Sequence, residues 1–294
     1  MNVLITGGGG QLGYCLQRRA PDSVTILAPS SSELDLSSPK KMQQWLADTK
    51  VDAVINAAAY TAVDQAESEP LLAELVNAEA VKVLASFCNK KGIPLLQVST
   101  DFVFDGKQNH PYTPTDSTNP QNIYGKTKRL GEEYALQFAS QSYVVRTGWI
   151  YCEHGQNFVK TMLRFASERE QLGIVADQIG TPTYADNLAL MLWSLLDYMP
   201  EQRVFHFSDA GVASWYDLAQ ATFSLGLELG LISSEPELTP ISTRDYPLPA
   251  LRPVYSVLDE SGTGRILNIP SEHWRVALAR MLSRLDSQRV KAAT

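Results

Sequence analysis

Over the first half of the 294-residue chain, short apolar runs alternate with longer segments whose apolar positions recur at helical spacing. The runs Val3–Thr6, Val24–Ala28, Val51–Ala58, Leu95–Thr100 and Tyr143–Thr147 read as strands. Between them, Gln11–Ala20, Pro39–Asp48, Glu69–Lys91 and Ile123–Phe138 read as helices. Runs such as VDAVINAAA and PLLQVST are apolar without alternation, as strands covered on both faces should be. Strand and helix in alternation imply right-handed crossovers, a parallel sheet and helices on both sides. The expected fold is α/β and doubly wound, with ligands at the carboxyl ends of the strands.

After Trp149 the rhythm changes. Helical segments continue at Phe158–Glu170, Leu188–Tyr198, Tyr216–Leu229 and Trp274–Leu285, but proline-bearing loops such as GTPTY and TRDYPLPALRP interrupt them. We expect a dinucleotide-binding domain over 1–148, taking back part of 184–210, and a smaller, helix-rich substrate region over 149–294. The most apolar stretch, LALMLWSLL, lies between Asp186 and Asp197 and is too short to span a bilayer.

Composition narrows the function classes. The formal net charge of -7 supplies no basic field for nucleic acid or an anionic membrane. Cys15, Cys88 and Cys152 are scattered and form no C-x-x-C pair, which argues against a disulfide framework or a structural zinc site. The opening MNVLITG has strand character and not that of a secretory leader, so a cytoplasmic protein is expected.

Four consecutive glycines follow the first strand, in LITGGGGQLG. A helix beginning at Gln11 would present unpaired N–H groups and a partial positive charge to a phosphate. Gly8, Gly10 and Gly13 satisfy G-x-G-x-x-G, and Gly7, Gly10 and Gly13 satisfy a wider spacing. An ordinary glycine-rich turn is the competing reading, and the strand–glycine–helix context weighs against it. The second strand ends in VTILAPSSS, with neither acid nor arginine at its tip. Ser30, Ser31 and Ser32 could meet a ribose 2′-hydroxyl or a 2′-phosphate, so NADPH and NADH both stay open, with a slight tilt to NADPH. Asp35 could present a carboxylate to an adenine amino group or simply cap a turn.

Tyr124 and Lys128 stand four apart on a helix, and so on one face. A neighbouring ammonium lowers a tyrosine pKa and makes the phenol a workable general acid at a carbonyl. By itself such a pair carries little weight. It gains weight from QVSTD upstream, which sets Ser99 and Thr100 at the carboxyl end of a strand, where a hydroxyl can stabilise charge growing on a carbonyl oxygen.

Glycine loop, NAAA, Ser/Thr at a strand end and Tyr-x-x-x-Lys, in that order, resemble an extended short-chain dehydrogenase/reductase of Rossmann type. The segments TGGGGQLG, NAAAYTAVDQAESEP, STDFVFDG, YGKTKRLGE, RTGWIY, NFVKTMLR, ADQIGTPTYADNLA, FHFSDAGVASWYDLAQ and LPALRPVYSVLD are similar in sequence and order to the dTDP-4-dehydrorhamnose reductase family. That resemblance implies reduction of the 4-keto group of dTDP-4-dehydro-L-rhamnose to dTDP-L-rhamnose, for surface polysaccharide, with NADPH or NADH. It implies that Gly7, Gly10, Gln11 and Leu12 approach the pyrophosphate, Asp35 and Leu36 the adenine, and Ala57, Ala58, Ala59 and Tyr60 the riboses. Thr100 would polarise the carbonyl. Tyr124 would donate the proton. Lys128 would hold the nicotinamide ribose and lower the tyrosine pKa. Asp101, Trp149, Asn157 and Arg252 would contact the sugar nucleotide, although Trp149 could equally be a core aromatic and Asn157 a helix cap.

Two departures stand out. Cys15 occupies the place of an acid that, in some members, helps hold a magnesium ion linking a dimer. A thiol is a poor magnesium ligand, so magnesium is doubtful and a monomer or homodimer is expected. Gly148 stands where the family more often has serine, which suggests a looser pocket beside Trp149. The rival readings are a reductase or epimerase of another keto-deoxysugar nucleotide, and a non-catalytic nucleotide-binding subunit resembling the regulatory subunit of methionine adenosyltransferase. A 4,6-dehydratase needs an acid pair after the threonine, and here Phe102 follows Asp101.

Overall fold

In the computed structural model, which describes residues 1–293 and the side chains of 1–290, the first half runs β1 (Asn2–Thr6), α1 (Gln11–Arg18), β2 (Thr25–Leu27), α2 (Pro39–Ala47), β3 (Ala53–Asn56), α3 (Val63–Ala66), α4 (Pro70–Glu74), α5 (Ala80–Lys91), β4 (Leu95–Thr100), α6 (Ile123–Phe138) and β5 (Ser142–Thr147). The second half adds β6 (Ile150–Tyr151), α7 (Phe158–Glu168), β7 (Gln171–Val175), β8 (Ile179–Gly180), β9 (Thr183–Tyr184), α8 (Ala185–Tyr198), β10 (Val204–His206), β11 (Ala213–Ser214), α9 (Trp215–Glu228), β12 (Glu237–Ile241), α10 (Ser261–Leu267) and α11 (Trp274–Ala293).

The unbroken apolar runs of the inner strands have a direct cause: β1, β3, β4 and β5 each feed two cores. Val3 and Ile5 of β1, Ala53 and Ile55 of β3, Leu96 of β4 and Val145 of β5 face a layer containing α1 and α8. Leu4, Val54, Leu95 and Val144 face α2, α5 and α6 on the other side. The sheet order is β10-β5-β4-β3-β1-β2, all pairs parallel. This is the expected doubly wound α/β fold. The chain leaves β1 for β2 on one side and returns to β3 on the other, so the switch point, where ligands bind in such sheets, lies above β1 and β3. β10 comes from the second half and completes the sheet beside β5.

One expected element is subdivided. The segment read as a single helix over Glu69–Lys91 contains α4, a π-turn at Leu75–Glu79 and α5. The π-turn carries Asn77, which is buried. Its side-chain oxygen accepts from the Tyr60 N–H at 2.9 Å, and its amide donates to Thr127 Oγ1 at 3.1 Å. The extra residue in the turn thus ties the loop after β3 to α6. Beyond Trp149, three two-stranded ribbons went unread in the sequence: two pair strands of only two residues, and the third pairs five-residue strands that are partly exposed and interrupted by Gly173 and Pro240. No helix among the described residues is long and apolar enough to cross a membrane.

Candidate active site

The glycine loop closes on the adjoining strand ends. Gly7 has φ +68°, and a Cβ there would lie 2.8 Å from the backbone of Ala58. Only glycine lets the loops after β1 and β3 approach this closely. A Cβ on Gly13 would lie 2.2 Å from Gly7 O, so α1 starts pressed against the loop with Gly10 as its N-cap. The loop so closed, just before Gln11 and Leu12, walls one end of a cavity. The cavity, of about 340 Å³, is lined by Thr6, Gly7–Gly10, Pro29–Ser31, Leu34, Leu36 and Ala58. It fits the pyrophosphate and adenosine of a dinucleotide, with glycines at one end and the tip of β2 at the other. Gly13→Ala is expected to cost about 1–3 kcal/mol of stability through overpacking and to weaken nucleotide binding; thermal melting and calorimetric titration check both.

Of the predicted cofactor residues, Gly7, Gly10, Leu36 and Ala58 line this cavity. Asp35, next to Leu36 in the chain, accepts from the backbone N–H (2.9 Å) and hydroxyl (2.6 Å) of Ser37, bonds that hold its carboxyl below the usual range. Ala57, Ala58, Ala59 and Tyr60 follow β3, and the Tyr60 hydroxyl donates to Glu69 at 2.8 Å. At the β2 tip, the sequence reading missed an acid. Glu33 folds back so that its carboxylate accepts from both the N–H and the hydroxyl of Ser30.

Next to this cavity, the end of β4 and the first turn of α6 bring Thr100, Asp101, Tyr124 and Lys128 together. Asn122 caps α6 by accepting from Gly125 N at 2.7 Å, and its amide donates to Leu251 O at 2.7 Å. Nothing but its cap position marks Asn122 in the sequence, yet it fixes the entry of the helix that carries Tyr124. The Tyr124 phenol lies near enough to the Thr100 hydroxyl to be influenced by it electrostatically. Thr100 donates to Asp101 Oδ1 at 3.0 Å and accepts from Phe102 N at 3.1 Å, so donating to a substrate carbonyl requires its single proton to turn away from Asp101. Ser99 is not part of this group: its hydroxyl donates to buried Glu132 at 2.6 Å.

The electrostatics correct one expectation. The protein groups around Tyr124 push its pKa up to about 12, through burial and the nearby Asp101 carboxylate, against the influence of the Thr100 hydroxyl. Lys128 does not lower it, because the ammonium is drawn beneath the site, donating to Val98 O at 2.6 Å. Burial pulls Lys128 down to about 8, opposed by Glu132 one turn along. Asp101 is pushed up to about 6 by burial, against hydrogen bonds from Ser256 and Thr100. The pocket beside Trp149 is likewise not looser for having Gly148. The Asp101 carboxyl packs over Gly148, where a Cβ would meet it at 2.7 Å, so a serine there would displace Asp101.

Of the remaining substrate candidates, the structure engages three elsewhere. Trp149 has φ +50°, a conformation that costs a non-glycine residue of order 1–3 kcal/mol. Its ring is held stacked on Trp215 at 3.6 Å, a partner the sequence reading did not single out. Asn157 caps α7, accepting from Lys160 N at 3.0 Å while donating to Cys152 O and Gln11 Oε1. It therefore braces the glycine loop through Gln11. Arg252 forms a two-pronged pair with Asp64, at 2.8 and 2.6 Å, so an incoming diphosphate would have to share that guanidinium.

The corner around Cys15 does not suit a magnesium ion. Cys15 Sγ lies 3.3 Å from Cys152 Sγ. Both oxygens of the nearby Asp186 are taken by Arg18, Arg19, Arg280 and Arg284. Burial works against the Asp186 charge, but these arginines hold its carboxyl well below the usual range.

Comparison with known proteins gives the same picture along the whole chain. The family described as RmlD substrate binding domain matches residues 1–287. The dTDP-4-dehydrorhamnose reductase of Aggregatibacter actinomycetemcomitans is 39% identical over 283 residues, which is 94% of this chain and 96% of that protein. A crystal structure of a dTDP-4-dehydrorhamnose reductase from Clostridium acetobutylicum superposes with a TM-score of 0.91 at 36% identity, covering 97% and 99% of the two chains. That of Bacillus anthracis, in complex with NADP, superposes with a TM-score of 0.90 at 34% identity, covering 96% and 99%. With its glycine cradle, strand-end threonine and Tyr-x-x-x-Lys helix in one array, the chain belongs to the dTDP-4-dehydrorhamnose reductase family.

Proposed function

We propose that the protein reduces the 4-keto group of dTDP-4-dehydro-L-rhamnose to give dTDP-L-rhamnose, with a reduced nicotinamide dinucleotide. The observation that carries this reading is the placing of Thr100 at the end of β4 and of Tyr124 and Lys128 on the first two turns of α6, beside a glycine cradle, in a chain similar to named reductases over nearly its whole length. The dinucleotide, when bound, supplies the hydride. Tyr124 remains protonated at neutral pH and gives its proton to the developing alkoxide, which is far more basic. Thr100 offers its hydroxyl to the same oxygen. Lys128 has three donors, one of them on Val98 O; the other two would be available to the ribose hydroxyls of the dinucleotide. Asp101, Trp149 and Arg252 are assigned to the sugar nucleotide, Arg252 sharing its guanidinium with Asp64, and Asn157 acts through Gln11.

The domain division at 148/149 is supported by the change of architecture there. The return of β10 to the sheet supports assigning part of 184–210 to the first unit. Three unpaired cysteines support a reducing, cytoplasmic setting. The protein acts as a monomer or homodimer without a magnesium bridge.

Because kcat/KM reports groups of the free enzyme, its alkaline limb should fall near pH 8, where Lys128 loses its charge, and not near the ~10.4 of an unperturbed lysine. Below that pH the ammonium is present and activity holds; above it, activity declines. A pH profile with the keto-sugar nucleotide checks this. The function itself is tested by substrate-dependent consumption of NADH or NADPH. Tight nucleotide binding with no turnover of this or any related keto-sugar would favour the non-catalytic reading.

A further inference from the structure

The β2 tip holds a group that the reading above does not use. The turn after β2 is closed by bonds from Glu33 N (3.1 Å) and Leu34 N (3.0 Å) to Ser30 O. This turn swings the Glu33 side chain back onto Ser30, itself part of the cavity wall. Glu33 Oε2 accepts from Ser30 N at 2.8 Å and from Ser30 Oγ at 2.7 Å. Ser32 Oγ lies 2.9 Å from Ser30 Oγ. Since the Ser30 proton is directed at Glu33, the proton in that contact comes from Ser32. Two hydroxyl donors and one N–H of the serine run are therefore already committed.

In a doubly wound sheet, the end of the second strand faces the adenosine ribose. A ribose 2′-hydroxyl brings a proton and seeks an acceptor. A 2′-phosphate brings up to two negative charges and three acceptor oxygens, and needs donors and cations. The cavity wall contains no lysine or arginine, the donors of its Ser30 are engaged by Glu33, which leaves the Ser31 hydroxyl as the wall's other serine donor, and the Glu33 carboxylate stands behind Ser30. Glu33 Oε1 takes no hydrogen bond from the described residues and can accept from the 2′-hydroxyl.

We propose that Glu33, held on Ser30, selects the unphosphorylated dinucleotide, so that the protein works with NADH in preference to NADPH. This rests on the reductase reading above and reverses the tilt that the bare serine run suggested. It also explains how a chain without an acid at the strand tip supplies one three residues later, through a turn.

The test is calorimetric titration of the purified protein with NADH and, separately, NADPH, for the native chain, Glu33→Gln and Glu33→Ala. The native chain should bind NADH about tenfold or more tightly than NADPH, a discrimination that a few polar contacts can supply. Glu33→Gln, which removes the charge, should narrow the ratio at least several-fold. Glu33→Ala, which also frees the Ser30 donors, should narrow it further, with the gain falling on NADPH. Glu33 is exposed, so neither change threatens the fold. Equal or tighter NADPH binding by the native chain overturns the assignment, as does an unchanged ratio in both variants. Failure to bind either dinucleotide would instead bring down the reductase reading on which it rests.

Discussion

Tyr124→Phe is expected to lower kcat about 10²- to 10⁴-fold, the usual contribution of a positioned general acid, while leaving nucleotide affinity close to native. The substitution removes only the hydroxyl. The ring stays packed edge-on against Phe102, at 5.9 Å between centroids, so the first turn of α6 should keep its place. A phenol pushed up to about 12 is a reluctant acid toward water and a competent one toward an alkoxide, and its loss should appear in kcat far more than in KM. Steady-state kinetics with parallel nucleotide titration separates the two effects. A variant retaining more than about a tenth of native kcat would move the proton-donor role elsewhere, with Thr100 or a water relay the first to examine.

Arg146→Met is expected to destabilise the fold by about 3–5 kcal/mol, the usual cost of leaving one member of a buried ion pair alone. Arg146 makes two bonds to Glu132, from Nε at 2.9 Å and from Nη2 at 2.8 Å, and both side chains are almost wholly enclosed, at 6% and 1% exposure. The remaining neighbours are poorer partners for Glu132: Arg129 Nη1 lies 3.9 Å from its Oε2, too far for a hydrogen bond. Ser99 supplies one neutral donor. His206, beside Arg146, is held neutral, burial and the arginine's charge bringing it down to about 3. Urea unfolding measures the loss, and the double variant Glu132→Gln/Arg146→Met should recover much of it, because no charge is then stranded. A loss under about 1 kcal/mol in the single variant would mean that Glu132 finds another partner, with Lys128 one turn away the obvious choice.

The sequence disclosed the fold's first half because its strands, apart from the exposed edge strand β2, are buried on both faces and its helices present one apolar side. It pointed to the glycine loop and the Tyr124–Lys128 pair through their context, a glycine run between the first strand and the first helix and a strand-end threonine upstream, since neither spacing is distinctive alone. What it hid was decided by contacts remote in the chain. Trp215 stacks on Trp149 across 66 residues of sequence, and Asp64 claims Arg252 across 188; no local pattern announces either. Glu33 was hidden differently. It lies in plain sight, but only the turn that carries it back to Ser30 makes it an acid of the β2 tip. The pKa order at the site was misjudged because spacing alone places Lys128 beside Tyr124 and cannot show that its ammonium is drawn down to Val98 O.

The most direct test of the account is to supply the protein with dTDP-4-dehydro-L-rhamnose and a dinucleotide deuterated at the transferring position, then locate the label. The account predicts one deuteron at C4 of the sugar, in dTDP-L-rhamnose, formed in proportion to dinucleotide oxidised. Label that stays on the dinucleotide, or a sugar changed with no net oxidation, would contradict it.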